Sequence, residues 1–318
     1  MMKNYANRIL LWTLLHQTCL ALPALAYESD QFIDRDVALS DATNLLNEAV
    51  NAEFANLAAE WDGEKWGEDR FRFARQLAHR FDRGGMVGAF QKWIHHNDAI
   101  EKQILGRDSV YGSTGFYAGH LLWFTQLGIG MSAAPNVQVA GVRLGTDKID
   151  HFFGEGFDYY RKAVIKGRGI ASALRWGEKT ERQIYGYWAS GVYSNSDLVS
   201  NYEGLRFYLG LYEDTVGATG KALPALFAWA GDHWELRRTF DWRDYVNPLW
   251  DEVILPSGYI KPLRRTLREE LARLCDRYAR SPALWQPASP DFIAAFDYAE
   301  IQFVTDRAVT VAEVCDNQ

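Results

Sequence analysis

Asp147, His151 and Glu155 recur every four residues in the stretch GTDKIDHFFGEGFDYYRKA. That spacing stacks three ionisable side chains on one helical face, and Asp158 and Tyr159 continue the same side. An imidazole flanked by two carboxylates has two chemistries open to it. It can shuttle protons, with one carboxylate fixing its tautomer and raising its pKa. It can also bind a divalent metal through His151, Glu155 and Asp147, with further ligands from elsewhere in the chain. The spacing is not HExxH or another zinc signature. A plainer arrangement is the default: Thr146 as N-cap with Asp147 only a helix-start charge, His151 hydrogen-bonded in the core, and Glu155 paired with Lys148 or Arg161.

A second segment, GVYSNSDLVSNYEGLRFYLGL, carries partners for the first. Ser194 followed by Asp197 resembles a capping box with the shorter acid. Asp197 and Asn201 share a helical face. With Glu203, and with Lys148 from the first segment, they are candidate binding residues for a site built around His151, because bundled helices present inward polar groups to one another. The alternative is that Asp197 only caps its helix and Asn201 bonds a nearby loop. His120, in the apolar run Phe116 to Gly130, is the outside candidate to join His151; a core histidine is its default role. Adjacent His95 and His96 point about 100° apart on a helix and form no two-ligand face. There is no GxSxG, P-loop or dinucleotide fingerprint, and neither Cys275 nor Cys315 has an activating histidine nearby. No organic cofactor is expected, and a divalent metal is the one open possibility.

Gly145-Thr146-Asp147-Lys148 followed by His151-Phe152-Phe153 resembles the DKxxH element of VanZ-like and other bacterial envelope proteins. Together with Ser194 to Tyr208 it is similar to uncharacterised exported bacterial proteins of helical type. The likeness covers about residues 137–210. It implies an envelope setting and no particular reaction.

The elements that must position these residues are mostly helical. Leu45, Leu46, Val50, Phe54 and Leu57 recur at helical spacing after Ser40 to Thr43. Helices are also predicted over Phe71–Phe81, Phe90–Leu105, Glu181–Ala189, Asp197–Tyr212, Pro262–Tyr278 and Asp291–Ile301. Val137-Gln138-Val139 and Val142-Arg143-Leu144 alternate around Ala140-Gly141, the pattern of a hairpin with a two-residue turn. Phe240 to Gly258 reads as irregular. The expectation is an all-α fold: one compact multi-helix domain over 27–318 with one short β-hairpin at about 137–144. A subdivision near 217–220 is the alternative.

The chain opens with Lys3 and Arg8, a run of about 18 mostly apolar residues, and then Ala24-Leu25-Ala26. This is the charged, apolar, small-residue order of a secretory signal, predicted to be cleaved near Ala26. His16, Gln17 and Pro23 weaken the alternative of an uncleaved anchor. Loss of Lys3 and Arg8 would take the formal charge from −7 to −9. So acidic a chain is repelled by phosphate backbones, which sets nucleic acid aside as a partner. No later apolar run has membrane-spanning length, so no transmembrane segment is expected after cleavage. A periplasmic or secreted location removes ATP and NAD as cofactors and makes a Cys275–Cys315 disulfide the favoured pairing over two free thiols. The functional expectation is a non-catalytic binding or envelope-associated module, whose partner is an envelope component or a protein. The alternative is an envelope hydrolase built on Asp147, His151 and Glu155 with Asp197 and Asn201. An enzyme needs these side chains to converge on an open pocket; a binding module needs them buried and mutually satisfied, with an exposed aromatic patch elsewhere.

Overall fold

Asp41 starts the order of this chain by doing two jobs at once. Its carboxylate accepts the Thr43 N–H at 2.8 Å, opening the first helix, and the Gly141 N–H at 2.8 Å, fixing a hairpin turn a hundred residues on. The computed structural model describes residues 28–82, 87–104, 109–113, 134–183, 186–187, 190–217 and 220–317. The expected signal at 1–26, the run Phe116 to Gly130 and His120 lie outside them.

Helix α1 (Thr43–Glu60) buries Leu46, Val50, Phe54 and Leu57 along one face, while Leu45 faces out. A single turn, α2 (Gly63–Trp66), leads to α3 (Arg70–Phe81), which Asp69 caps through the Arg72 N–H at 2.9 Å. After α4 (Ala89–His96) and α5 (Val110–Ser113) comes the predicted hairpin, β1 (Asn136–Val139) against β2 (Val142–Gly145), with Val139 opposite Val142. Ala140 and Gly141 both take positive φ, 52° and 74°, as a two-residue primed turn demands. Ala140 is held there by its N–H bond to Thr43 Oγ1 at 2.6 Å.

The hairpin feeds directly into α6 (Asp147–Tyr160), which runs on through a π-helical turn at Arg161–Ile165. Then follow α7 (Ile170–Arg182), β3 (Val192–Tyr193) and α8 (Asn195–Leu209). Two small hairpins pair β4 (Thr215–Val216) with β5 (Ala222–Leu223) and β6 (Phe227–Trp229) with β7 (Trp234–Leu236). β8 (Gly258–Tyr259) returns to β3, and the chain ends in α9 (Lys261–Leu271), α10 (Cys275–Arg280), α11 (Pro290–Ala294) and α12 (Val311–Asp316).

The fold is therefore mainly helical, but not all-α with a single hairpin. Among the described residues it carries four two-stranded sheets. Several helices also differ in extent from their periodicity. The one expected over Phe90–Leu105 stops at His96, because Asn97 folds its side chain back onto the Ala99 N–H. The one expected over Glu181–Ala189 is instead α7, which starts earlier and ends at Arg182; the Glu181 side chain turns inward to the Ser194 N–H. Pro262–Tyr278 is broken by a 3₁₀ turn at Ala272–Leu274. Asp291–Ile301 gives only α11, after which Tyr298 is drawn to Glu203 on α8. Phe240–Gly258 is irregular as read, with 3₁₀ turns at Trp242–Asp244 and Pro248–Trp250.

The larger core runs from Ala42 to Val304 and centres on aromatic rings packed tilted or edge-on. Phe152 lies 5.1 to 5.3 Å from Phe207, Trp242 and Tyr245. A smaller core gathers Tyr111, Tyr259, Leu263, Leu267, Leu271 and Trp285. Cys275 and Cys315 form the predicted disulfide, joining α10 to α12. Among the described residues no helix is long and apolar enough to cross a membrane.

Candidate functional site

The site lies where α6 crosses α8, and two glycines set the crossing. A Cβ on Gly156 would meet the Gly204 Cα at 2.6 Å, and one on Gly204 would meet the Phe152 carbonyl oxygen at 2.1 Å. With the two backbones in contact, short side chains on one helix reach those on the other.

From α6, Lys148 sends its ammonium into the crossing with no exposure to water. Three carboxylate oxygens receive it: Asp147 Oδ2 at 2.7 Å, Asp197 Oδ1 at 2.6 Å and Glu252 Oε1 at 2.6 Å. His151, one turn on, sets Nε2 3.1 Å from Asp197 Oδ2. Its Nδ1 faces Asn201 Oδ1 at 3.1 Å and Glu155 Oε2 at 3.5 Å. Asn201 is oriented by its own amide, which reaches the Tyr159 hydroxyl at 3.5 Å. Both ring nitrogens thus face oxygen acceptors, the arrangement of an imidazolium that donates from each side.

From α8, Ser194 caps the helix by accepting the Asp197 N–H at 3.1 Å, and its hydroxyl donates to Glu252 Oε1 at 2.7 Å. The capping box is therefore only half formed. Asp197 does not reach back to the Ser194 N–H, which goes to Glu181 Oε1 at 3.0 Å. Ser190 Oγ donates to Glu28 Oε1 at 3.1 Å and brings that acid to the same cluster.

The proton affinities split. Burial alone would raise Asp197, but the charges of His151 and Lys148 outweigh it and hold its carboxyl below the usual range. Burial works against the cations too, yet the carboxylates win: Asp147, Asp197 and Glu252 lift Lys148, and Asp197 and Glu155 lift His151, each well above its ordinary value. The remaining acids go up because burial dominates and there is too little positive charge to share. Glu28, Asp147 and Glu252 are raised, Glu155 is pushed up to about 7 and Glu181 to about 8. Carboxyls outnumber cations here, so burial favours the neutral form of the acids that Lys148 and His151 do not satisfy, and Glu181 is raised above neutrality.

The structure brings together Asp147, Lys148, His151, Glu155, Asp197 and Asn201 of the residues singled out by spacing. It does not bring in Glu203, which bonds the Tyr298 hydroxyl at 2.6 Å and Arg206 at 3.0 Å on another side of α8. Thr146 stands at the N-cap position of α6 but makes no capping bond; it is in helical conformation, and its hydroxyl accepts from Gln91 at 3.2 Å. Nor does Glu155 pair with Lys148 or Arg161: Lys148 is taken by three other acids, and Arg161 bonds Asp158 at 2.6 Å.

As metal ligands, His151, Glu155 and Asp147 are not the set that converges. Among the described residues the acids that do are Glu28, Asp147 and Asp197, with ligand oxygens within 4.8 Å of one another. Asp147 Oδ1 has no hydrogen-bond partner there and is free to ligate. Lys148 nonetheless already neutralises Asp147 and Asp197 at contact distance, and its raised affinity keeps it protonated. The residues present do not fit a divalent ion without displacing that ammonium.

Glu28, Glu181 and Glu252 were not legible as site residues. Glu28 and Glu252 lie in irregular segments with no period to betray an inward face, and Glu181 sits at the end of a helix whose extent was misjudged. No family model, curated protein or solved structure matches this chain.

Proposed function

We propose that this chain is an exported acid–base enzyme of the hydrolase class, with its site at the α6–α8 crossing. The observation that carries the reading is the bracketed His151: Asp197 holds one nitrogen, and Glu155, with an affinity near neutrality, stands at the other. Paired groups whose environments drive their proton affinities apart are the acid and base of many hydrolytic sites. His151, charged by Asp197, is the proton donor to a leaving group. Glu155 keeps a quarter of its side-chain surface in water and is the group placed to take a proton from an attacking water. Lys148 holds Asp197, Asp147 and Glu252 in place and does not itself meet the substrate. Hydrolysis asks for the least beyond these groups, only water. The secretory opening of the chain, its Cys275–Cys315 bridge and the resemblance of the DKxxH stretch to envelope proteins support an envelope location.

One observation favours a second reading, that of a non-catalytic module. Lys148, Asp197 and His151 itself are buried and mutually bonded, as a lock between helices would be. One experiment separates the two. Wild-type protein and His151→Gln are assayed against nitrophenyl esters, phosphates and glycosides and a fluorogenic peptide amide, and both are melted. An enzyme hydrolyses at least one class, and the variant loses about a hundredfold or more while melting within a few degrees of wild type. No turnover of any class, with a variant that melts far lower, replaces the enzyme by the lock. For the enzyme, the rate rises with pH through about 7 as Glu155 ionises and falls at alkaline pH as His151 loses its proton.

A further inference from the structure

At the opposite end of α8 from the charged cluster, a cleft of about 440 Å³ opens between the start of α3 and the β6–β7 hairpin. Its walls are aromatic. Trp229 and Trp234 sit opposite each other on the hairpin, with ring centroids 5.3 Å apart, and Tyr212 lies 5.1 Å from Trp234. Trp229 and Tyr212 are half-buried and keep part of their rings open, whereas Trp234 is buried behind them.

The rim decides what kind of ligand. Glu68 and Asp214 are balanced by Arg70 and Arg237, so the mouth has no net formal charge. An anion would meet two carboxylates. A quaternary ammonium, the usual guest of aromatic cages, would meet two guanidiniums, one of which, Arg70, already lies over the Tyr212 ring at 5.5 Å. A neutral polyhydroxylated ring satisfies both wall and rim. Its C–H face lies on an indole, and its hydroxyls donate to the acids and accept from the guanidiniums. The cleft is of a size to take one or two sugar rings.

We propose that this cleft is a saccharide-binding site, with Trp229 as the stacking platform and the rim of Glu68, Arg70, Asp214 and Arg237 as the partners of the sugar hydroxyls. It is built from residues outside the α6–α8 cluster and stands or falls separately from the proposed hydrolase.

The test uses the full chain, titrated with chitotriose and with cellotriose by calorimetry and by tryptophan fluorescence. At least one trisaccharide gives saturable binding. Trp229→Ala weakens it at least tenfold without changing the melting temperature. Arg237→Ala, which removes an exposed donor of the rim, weakens it several-fold. Phe292→Ala, an exposed aromatic elsewhere, leaves it unchanged, as does His151→Gln, so a failed hydrolase does not disturb this result. The proposal is overturned by three outcomes: no saturation by either sugar up to about 10 mM, binding that Trp229→Ala does not alter, or tetramethylammonium occupying the cleft in their place.

Discussion

Lys148 has exchanged all contact with water for three carboxylate oxygens, and every neighbour of the site depends on that exchange. Lys148→Met keeps the length of the side chain and removes the charge, leaving Asp147, Asp197 and Glu252 with no ammonium between them. Breaking a buried pair in this way costs about 3–5 kcal/mol, read from urea unfolding at pH 7.5. The defect shrinks on acidification, because Asp147 and Glu252, whose proton affinities burial raises, take up protons and no longer need the ammonium. A loss that stays constant with pH would mean that packing of the stem, not charge, is what Lys148 supplies. Glu155 makes the opposite kind of prediction. Its proton affinity is raised in the folded state, to about 7 from an ordinary 4.5. The folded protein therefore holds a proton between those values that the unfolded chain releases, and stability falls as pH rises across the window. Glu155→Gln removes that fall, and its unfolding free energy is flatter than wild type between pH 4.5 and 7. An unchanged slope would assign the pH dependence to Glu28, Glu181 and Glu252 instead. The period of four in Asp147, His151 and Glu155 was enough to read one helix face. Asp197 and Asn201 were legible as candidate partners of His151 because bundled helices turn polar groups toward one another, but which atoms pair depends on how the two helices cross, and no local spacing encodes a crossing.

At the scale of elements, the crossing rests on Gly156 and Gly204. Alanine at either position is the better helix former by about 1 kcal/mol, so local preference alone would make the substitution stabilising. Contact decides otherwise. A methyl on Gly204 would stand 2.1 Å from the Phe152 carbonyl oxygen, and one on Gly156 2.6 Å from the Gly204 Cα, both backbone atoms that cannot swing aside. The helices must part, and His151 and Lys148 then lose reach to Asp197. Gly204→Ala is expected to lower stability by about 1–3 kcal/mol, by denaturant unfolding, with a larger relative loss of whatever activity the site has. A stabilised Gly204→Ala would show that the crossing has slack. The elements that were legible share a physical reason. Helix α1 has a repeating buried face, and the β1–β2 hairpin has two-residue alternation around a turn that needs positive φ. Those misread end for reasons that apolar spacing does not carry, some of them local, as where Asn97 takes the Ala99 N–H. Tertiary partners such as Tyr298 with Glu203 stop a periodic run, and the three other strand pairs are too short to show alternation.

At the scale of the molecule, the main core is an aromatic mass that holds α6 and α8 together, while the smaller core is closed by the C-terminal helices. The smaller core is the part that leans on covalent help. Helix α12 is only six residues and buries little beyond Val311 and Ala312. Its polar ties are exposed: Arg268 with Glu313 at 2.7 Å, and the Tyr278 hydroxyl with Asp316 at 3.0 Å. Exposed pairs of this kind contribute little. The Cys275–Cys315 bridge spans a sequence separation of 40, and closing a loop of that length in the unfolded chain is worth about 4 kcal/mol. The double substitution Cys275→Ser with Cys315→Ser, or dithiothreitol on the wild type, should therefore lower the melting temperature by roughly 10 °C. In hydrogen exchange the amides of α12 and α10 should open first, with those of α6 and α8 still protected. Protein made in a reducing cytosol should melt like the double variant, and protein exported to an oxidising compartment should melt like the bridged form. If reduction shifts neither the melting temperature nor the exchange of α12, the tail is held by Val311, Ala312 and their neighbours alone. The bridge would then no longer argue for an oxidising compartment.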